Sequence, residues 1–155
     1  MAFTAPRTWV VGELVTAAIM NTFIRDNQNY LNTWVQNDVT GARAIDATVY
    51  QNTDEKILFV SINIRSNIDD DGGGDMAGNS LVTIHVGAAT PPLDQVARLG
   101  LTVNMDGAFG ADNYTDGEFQ AFFVVLPNYY YKATASDGGS GAAPTLQDWF
   151  EWSDS

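Results

Sequence analysis

The stretch KILFVSINIR, residues 56–65, decides the fold. Leu58, Val60, Ile62 and Ile64 fall on one phase, and Ser61, Asn63 and Arg65 on the other. A side-chain period of two puts these sets on opposite faces of a strand, one apolar and one polar. The same alternation returns downstream. SLVTIHV (80–86) sets Val82, Ile84 and Val86 against Thr83 and His85, and ARLGLTVNM (97–105) aligns Leu99, Leu101, Val103 and Met105. FQAFFVVLP (119–127) is nearly all apolar and predicts a strand buried on both faces. VYQNT (49–53), YYYKAT (129–134) and TLQDWFEW (145–152) add three more, giving about seven short strands. Between them NTDE, DDDGGGD, TPP and DGGSG carry turn chemistry. The expected fold is mainly β: an antiparallel sandwich of Greek-key or jelly-roll type over residues 45–155. No βαβ alternation is present, which excludes a parallel nucleotide-binding sheet.

Upstream the period changes. Residues 1–15 read as an extended arm, with Pro6 disfavouring helix before it and Gly12 closing a turn. Thr16 suits a helix N-cap, and AAIMNTFIRDNQNYLNTWVQN (17–37) contains no Gly or Pro, which predicts one helix ending near Asn37. Met20, Phe23, Asn27, Tyr30 and Trp34 recur at spacings of three and four, as in a coiled-coil seam with a register-setting Asn. Ile19, Ile24, Leu31 and Val35 widen that stripe toward an ordinary amphipathic helix lying on its own domain. Residues 1–40 are therefore expected to form an arm and an anchoring or trimerisation helix.

Composition narrows the chemistry. Seven Lys and Arg face 19 Asp and Glu, a formal net charge of −12 in 155 residues. Affinity for nucleic acid rests on basic groups that displace phosphate counterions, so neither nucleic acid nor an anionic membrane is an expected partner. With no cysteine there is no thiol chemistry, and no apolar run approaches the roughly 20 residues of a membrane span. The first residues lack the pattern of a secretory signal. His85, the one histidine, sits on the polar phase of its strand and does not read as a general base. The run Asp69–Asp75 could offer carboxylates to Ca²⁺, but Gly72, Gly73 and Gly74 interrupt the ligand spacing, so a solvated hairpin tip is expected and no metal or cofactor. Asp106, Asp112, Asp116 and Glu118 are close in sequence, which does not establish the carboxyl separation of a glycosidase. The expectation is no enzyme.

The chain closes on aromatics. In LPNYYYKAT (126–134) Tyr129 and Tyr131 share a face and Tyr130 takes the other; Trp149 and Trp152, three apart, point to opposite sides of a strand. Tyr130, Trp149 and Trp152 are the candidate contact residues. Aromatic faces of this kind serve subunit interfaces and also stack on sugar rings.

PRTWVVGELVTAAIMNTFIRDNQNYL (6–31) resembles the segment that opens many tailed-bacteriophage structural proteins. VYQNTDEKILFVSINI (49–64), together with PNYYYKAT and PTLQDWFEW, is similar to the C-terminal β-domain of tail-fibre-like proteins. The resemblance covers the two ends and about half the chain. It implies a virion protein made in the host cytoplasm and assembled as a homotrimer. Helices would run along the axis, the β-domains would be distal, and the arm would bind capsid or tail proteins. A tail-fibre-type role would be host attachment, and the terminal aromatic faces make a surface glycan one candidate ligand. No repetitive shaft separates helix from sandwich here, which brings in a second role: a capsid decoration protein or short head fibre.

Overall fold

Strand β3, Leu58–Asp69, runs where the alternation places it, and Val60, Ile62 and Ile64 have no exposed surface. It is the centre of a β-sandwich seen in a computed structural model that describes residues 8, 11–25, 34–69, 76–105, 114–139 and 141–154. The chain divides into two compact units, Met1–Val35 with Asp154–Ser155, and Gln36–Ser153.

In the first unit Gly12, at φ +83°, supplies the turn expected of it. Thr16 caps a helix, its Oγ1 accepting the Ile19 N–H at 3.3 Å. That helix, α1, spans only Ala17–Met20 before passing into a π turn at Asn21–Arg25. The single helix to Asn37 is thus corrected: Trp34–Asp38 is a strand, β1. Trp, Val, Asn and Asp are weak helix formers, and tertiary bonding decides the outcome at the end of the segment. Asn37 Nδ2 donates to Ser153 Oγ at 3.2 Å, and the Val39 N–H donates to Trp149 O at 2.9 Å. Trp34 therefore leaves the proposed helical seam. Met20 is on the helix and exposed, while Asn27, Tyr30 and the side chain of Phe23 lie outside the described residues. Most of the arm also lies outside them, as do residues 70–75 of the Asp-Gly run.

The second unit is the sandwich, and it begins at Gln36, earlier than the sequence suggests. After β1 come β2 (Tyr50–Gln51), β3, β4 (Met76–Gly87), β5 (Asp94–Met105), β6 (Tyr114–Val125), β7 (Tyr130–Gly139) and β8 (Gly141–Asp154). One sheet has the order β1-β8-β3-β6 and the other β2-β7-β4-β5. The pairs β1–β8, β2–β7, β3–β6 and β4–β5 are nested, like one long antiparallel ribbon folded over on itself. That nesting defines a jelly roll, the more specific of the two expected topologies.

The core lies between the sheets. Leu58, Val60, Ile62, Ile64, Ala121, Phe123, Val125 and Trp149 come from one, and Val82, Ile84, Val86, Tyr131 and Ala133 from the other. Each large apolar side chain so buried contributes roughly 1.5–3 kcal/mol. Close approach of the paired strands β4 and β5 fixes one residue type outright. At Gly100, φ +121°, a Cβ would run into Ser80 O and Leu81 Cα.

One end of the core is closed by residues 39–49, which cross from β1 in one sheet to β2 in the other. Thr40 Oγ1 accepts the Trp149 N–H at 2.8 Å, and further along Ile45 O accepts the Ala135 N–H at 2.7 Å. Between those anchors Arg43 reaches inward to Glu151, donating from Nε and Nη2 to the two carboxylate oxygens at 2.8 and 2.7 Å. Tyr131 Oη and Trp149 Nε1 donate to the same carboxylate at 2.7 and 3.0 Å. Glu151 is buried, and four donor bonds replace the water it has lost. Burial alone would lower the Arg43 pKa, but its bonds to Glu151 outweigh this and hold it above its ordinary value.

Candidate interaction surface

Within the sandwich, the outer face of the β8-β3-β6 sheet carries a contiguous group of apolar side chains, Phe122, Val124 and Leu126 among them exposed. Strand register builds it row by row. Phe59 on β3 lies between Trp152 on β8 and Val124 on β6, and Ser61 lies between Phe150 and Phe122. Asn63 follows, flanked by Asp148 and Gln120. At the other end of the strands Ile57 and Leu126 extend the patch.

The centre of this surface is a small residue. Ser61 is almost fully buried, its Oγ accepting from Gln120 Nε2 at 3.0 Å, and rings close over it. Phe59 and Phe122 stack at 5.9 Å between centroids with an interplanar angle of 16°. Trp152 meets Phe122 edge-on at 6.0 Å and Phe150 at 6.5 Å. These distances are those of favourable aromatic pairs, so the rings hold one another in place. Phe122 remains 62% exposed, Leu126 43% and Val124 41%. Beyond the aromatic rows the face turns polar. Asn63 Nδ2 donates to Asp148 Oδ2 at 3.4 Å, and Arg65 pairs with Asp116 at 2.6 Å. An apolar platform with a polar margin is the usual anatomy of a site for another molecule.

The candidate contact residues divide. Trp152 belongs to the platform. Trp149 has no exposed surface and is withdrawn from the candidates: its indole stacks obliquely on Tyr131 in the core at 6.3 Å. Tyr130 is half-buried on β7, in the opposite sheet, beside Gly87 and Gln51. Its outward phase faces away from the platform, so Tyr130 and Trp152 do not form one surface.

The reading of β6 is also corrected. Phe123 and Val125 enter the core, but Phe122 and Val124 face outward on an edge strand. Both phases of FQAFFVVLP are apolar because one serves the core and the other the platform. That doubled apolarity was the signal available in the sequence for Phe122; Phe59, on the otherwise polar phase of β3, was a second.

The other groups considered for chemistry are placed as follows. His85 is half-buried on the outer phase of β4, with Nδ1 buried and no hydrogen-bond partner found for it. Asp116 and Glu118 share the outer face of β6, while Asp106 and Asp112 lie outside the described residues. Among the described residues no group of three His, Asp or Glu side chains is arranged to hold a metal ion. No helix among them is long and apolar enough to cross a membrane.

No protein-family model, no curated protein and no solved structure matches this chain.

Proposed function

We propose that the chain is a structural protein of a phage virion, a tail-fibre-type or receptor-binding appendage working as a trimer and without catalysis. Its N-terminal segment attaches it to the particle, and the jelly roll presents a binding face. The observation that carries this reading is the aromatic platform of Phe59, Phe122, Phe150 and Trp152 on an otherwise acidic molecule. Jelly rolls recur in viral capsid and lectin domains, where a rigid sandwich positions a surface. The resemblance of residues 6–31 to the opening of phage structural proteins supplies the setting. Three copies of one weak site gain avidity on a dense surface through effective concentration.

A second reading, a decoration protein that cements capsid subunits, is favoured by one feature. The sandwich unit starts at Gln36, leaving no length for a shaft between the N-terminal segment and the β-domain.

Gold-labelled antibody against the chain on intact virions, viewed by electron microscopy, tests both. Label at the tail tip is the expected result for an appendage, and label spread over the head makes it a decoration protein. Purified virions that carry no label would refute a virion role.

A further inference from the structure

We propose that strand β6 is a self-association edge: two copies of this chain pair β6 with β6 antiparallel about a two-fold axis at Phe122, joining their platforms into one continuous face. Three observations on the strand lead there.

The first is its position. β6 runs for 12 residues at the end of its sheet, bonded to β3 on one side. Among the described residues no strand lies on its other side. Every second residue of an edge strand directs its N–H and C=O outward, a template for another strand. Edges of this length are ordinarily blunted by proline, by inward charge or by lysine. Tyr114–Val125 contains no proline and no lysine.

The second is continuity. Phe122 and Val124, the exposed outer residues of β6, are also the margin of the aromatic platform. A strand added to this edge extends the same apolar face instead of ending it. A flexible ligand or a globular surface would cover the platform but leave the backbone row unbonded; a β-strand satisfies both.

The third is the order of charge along the strand, and it identifies the partner. The outer phase reads Asp116, Glu118, Gln120, Phe122, Val124, with Leu126 just beyond. Its first half is acidic and its second half apolar. Parallel pairing in register would set Glu118 beside Glu118 and Asp116 beside Asp116, which is destabilising. Antiparallel pairing centred on Gln120 would press Glu118 against Phe122 and Asp116 against Val124, leaving carboxylates against apolar groups. Centred on Phe122, the same strand places Phe122 opposite its copy and Gln120 opposite Val124, and the one carboxylate left against an apolar residue, Glu118 opposite Leu126, falls past the end of the strand. The two Glu118 carboxylates are then eight residues apart, about 27 Å at the rise of an extended strand. Of these three pairings, the antiparallel one centred on Phe122 leaves the fewest carboxylates against apolar groups. A two-fold contact of this kind uses the same patch on both subunits.

This contact is independent of the N-terminal segment. If that segment forms a trimer, pairing through β6 joins two trimers; if it does not, pairing joins two monomers. In both cases removing the contact halves the mass. Light scattering on the full chain and on Phe122→Asp, over a dilution series, reads this directly. The expected result is an even-numbered assembly for the natural chain and half its mass for the variant. An unchanged mass with unchanged circular dichroism overturns the proposal. Cross-linking then tests the register. The chain has no cysteine, so single-cysteine variants report one distance each. Directly opposed residues in an antiparallel pair have Cα atoms about 4.5–5.5 Å apart, within disulfide range. Mild oxidation should cross-link Phe122→Cys rapidly and leave Glu118→Cys as single chains on a non-reducing gel. Equal cross-linking of both, or of Glu118→Cys alone, rules out the register.

Discussion

Trp149 and Trp152 are three residues apart on one strand and have opposite fates. Trp149 points inward, loses all its exposed surface, and gives its indole N–H to Glu151 beside Tyr131 and Arg43. Trp152 points outward, is half-buried, and meets the rings of Phe122 and Phe150. The inner tryptophan is fixed by what surrounds it on every side, so the fold depends on it. The outer one is held by neighbouring rings on its own face, so the fold depends on it less. On this sheet the pleat of the backbone separates a sealed core face from the face that carries the aromatic platform.

The largest effect that tests this contrast is Trp149→Ala. Removing a fully buried indole leaves a cavity and withdraws one donor from the Glu151 carboxylate, for a loss of about 3–5 kcal/mol. Urea denaturation should show a lower midpoint at an unchanged slope. A loss below about 1 kcal/mol would mean that the inner face tolerates deletion as the outer one should.

An intermediate effect comes from Tyr131, whose hydroxyl donates to Glu151 at 2.7 Å. Burial, and then the negative charge of Glu151, raise the Tyr131 pKa well above its ordinary value. An unfolded tyrosine ionises near pH 10, about the value of the free side chain. A raised pKa in the folded state means that this stabilisation is complete below that pH and is lost as pH rises toward the folded value. The natural chain should therefore lose stability steadily above about pH 10. Tyr131→Phe should be less stable at neutral pH by about 1.5–3 kcal/mol, the worth of a hydrogen bond to a charged group, and should show a shallower alkaline decline. Parallel declines for the two proteins would show that the hydroxyl is not held as the structure has it.

How far this contrast could be read beforehand differs between the two faces. The inward phase of β3 and β4 was legible, because each strand commits one phase to apolar residues and the period is two. Opposite directions for Trp149 and Trp152 followed from their spacing; which of them entered the core did not, since that depends on the partner strands. Arg43 and Glu151 gave no signal at all. They are 108 positions apart, and only the crossing of residues 39–49 over the end of the sandwich brings them together. The helix was over-extended for a related reason: residues 34–38 are decided by their pairing with β8, and local propensity carries no record of it. The platform was half legible. FQAFFVVLP announced two apolar phases, but whether the second meets a covering layer or solvent depends on the strand's place in the sheet.

The smallest effect on folding should come from Trp152→Ala, and it is the sharpest test of the comparison. The ring is half-buried, meeting Phe122 edge-on and Phe150 at a tilt, whereas Trp149 has no exposed surface, so folding stability measured in dilute protein should fall by clearly less than it does for Trp149→Ala. Binding should respond more strongly, because an outward-facing aromatic at the centre of a contact counts for more than its share of area. On the proposed virion role this variant should be present in particles at reduced copy number or bind its target surface more weakly, read by quantitative blotting of virions and by adsorption to host cells. If Trp152→Ala destabilised the isolated chain as much as Trp149→Ala does, the outer face would be a second core, and the search for its partner would turn to the residues that cover it within the protein itself.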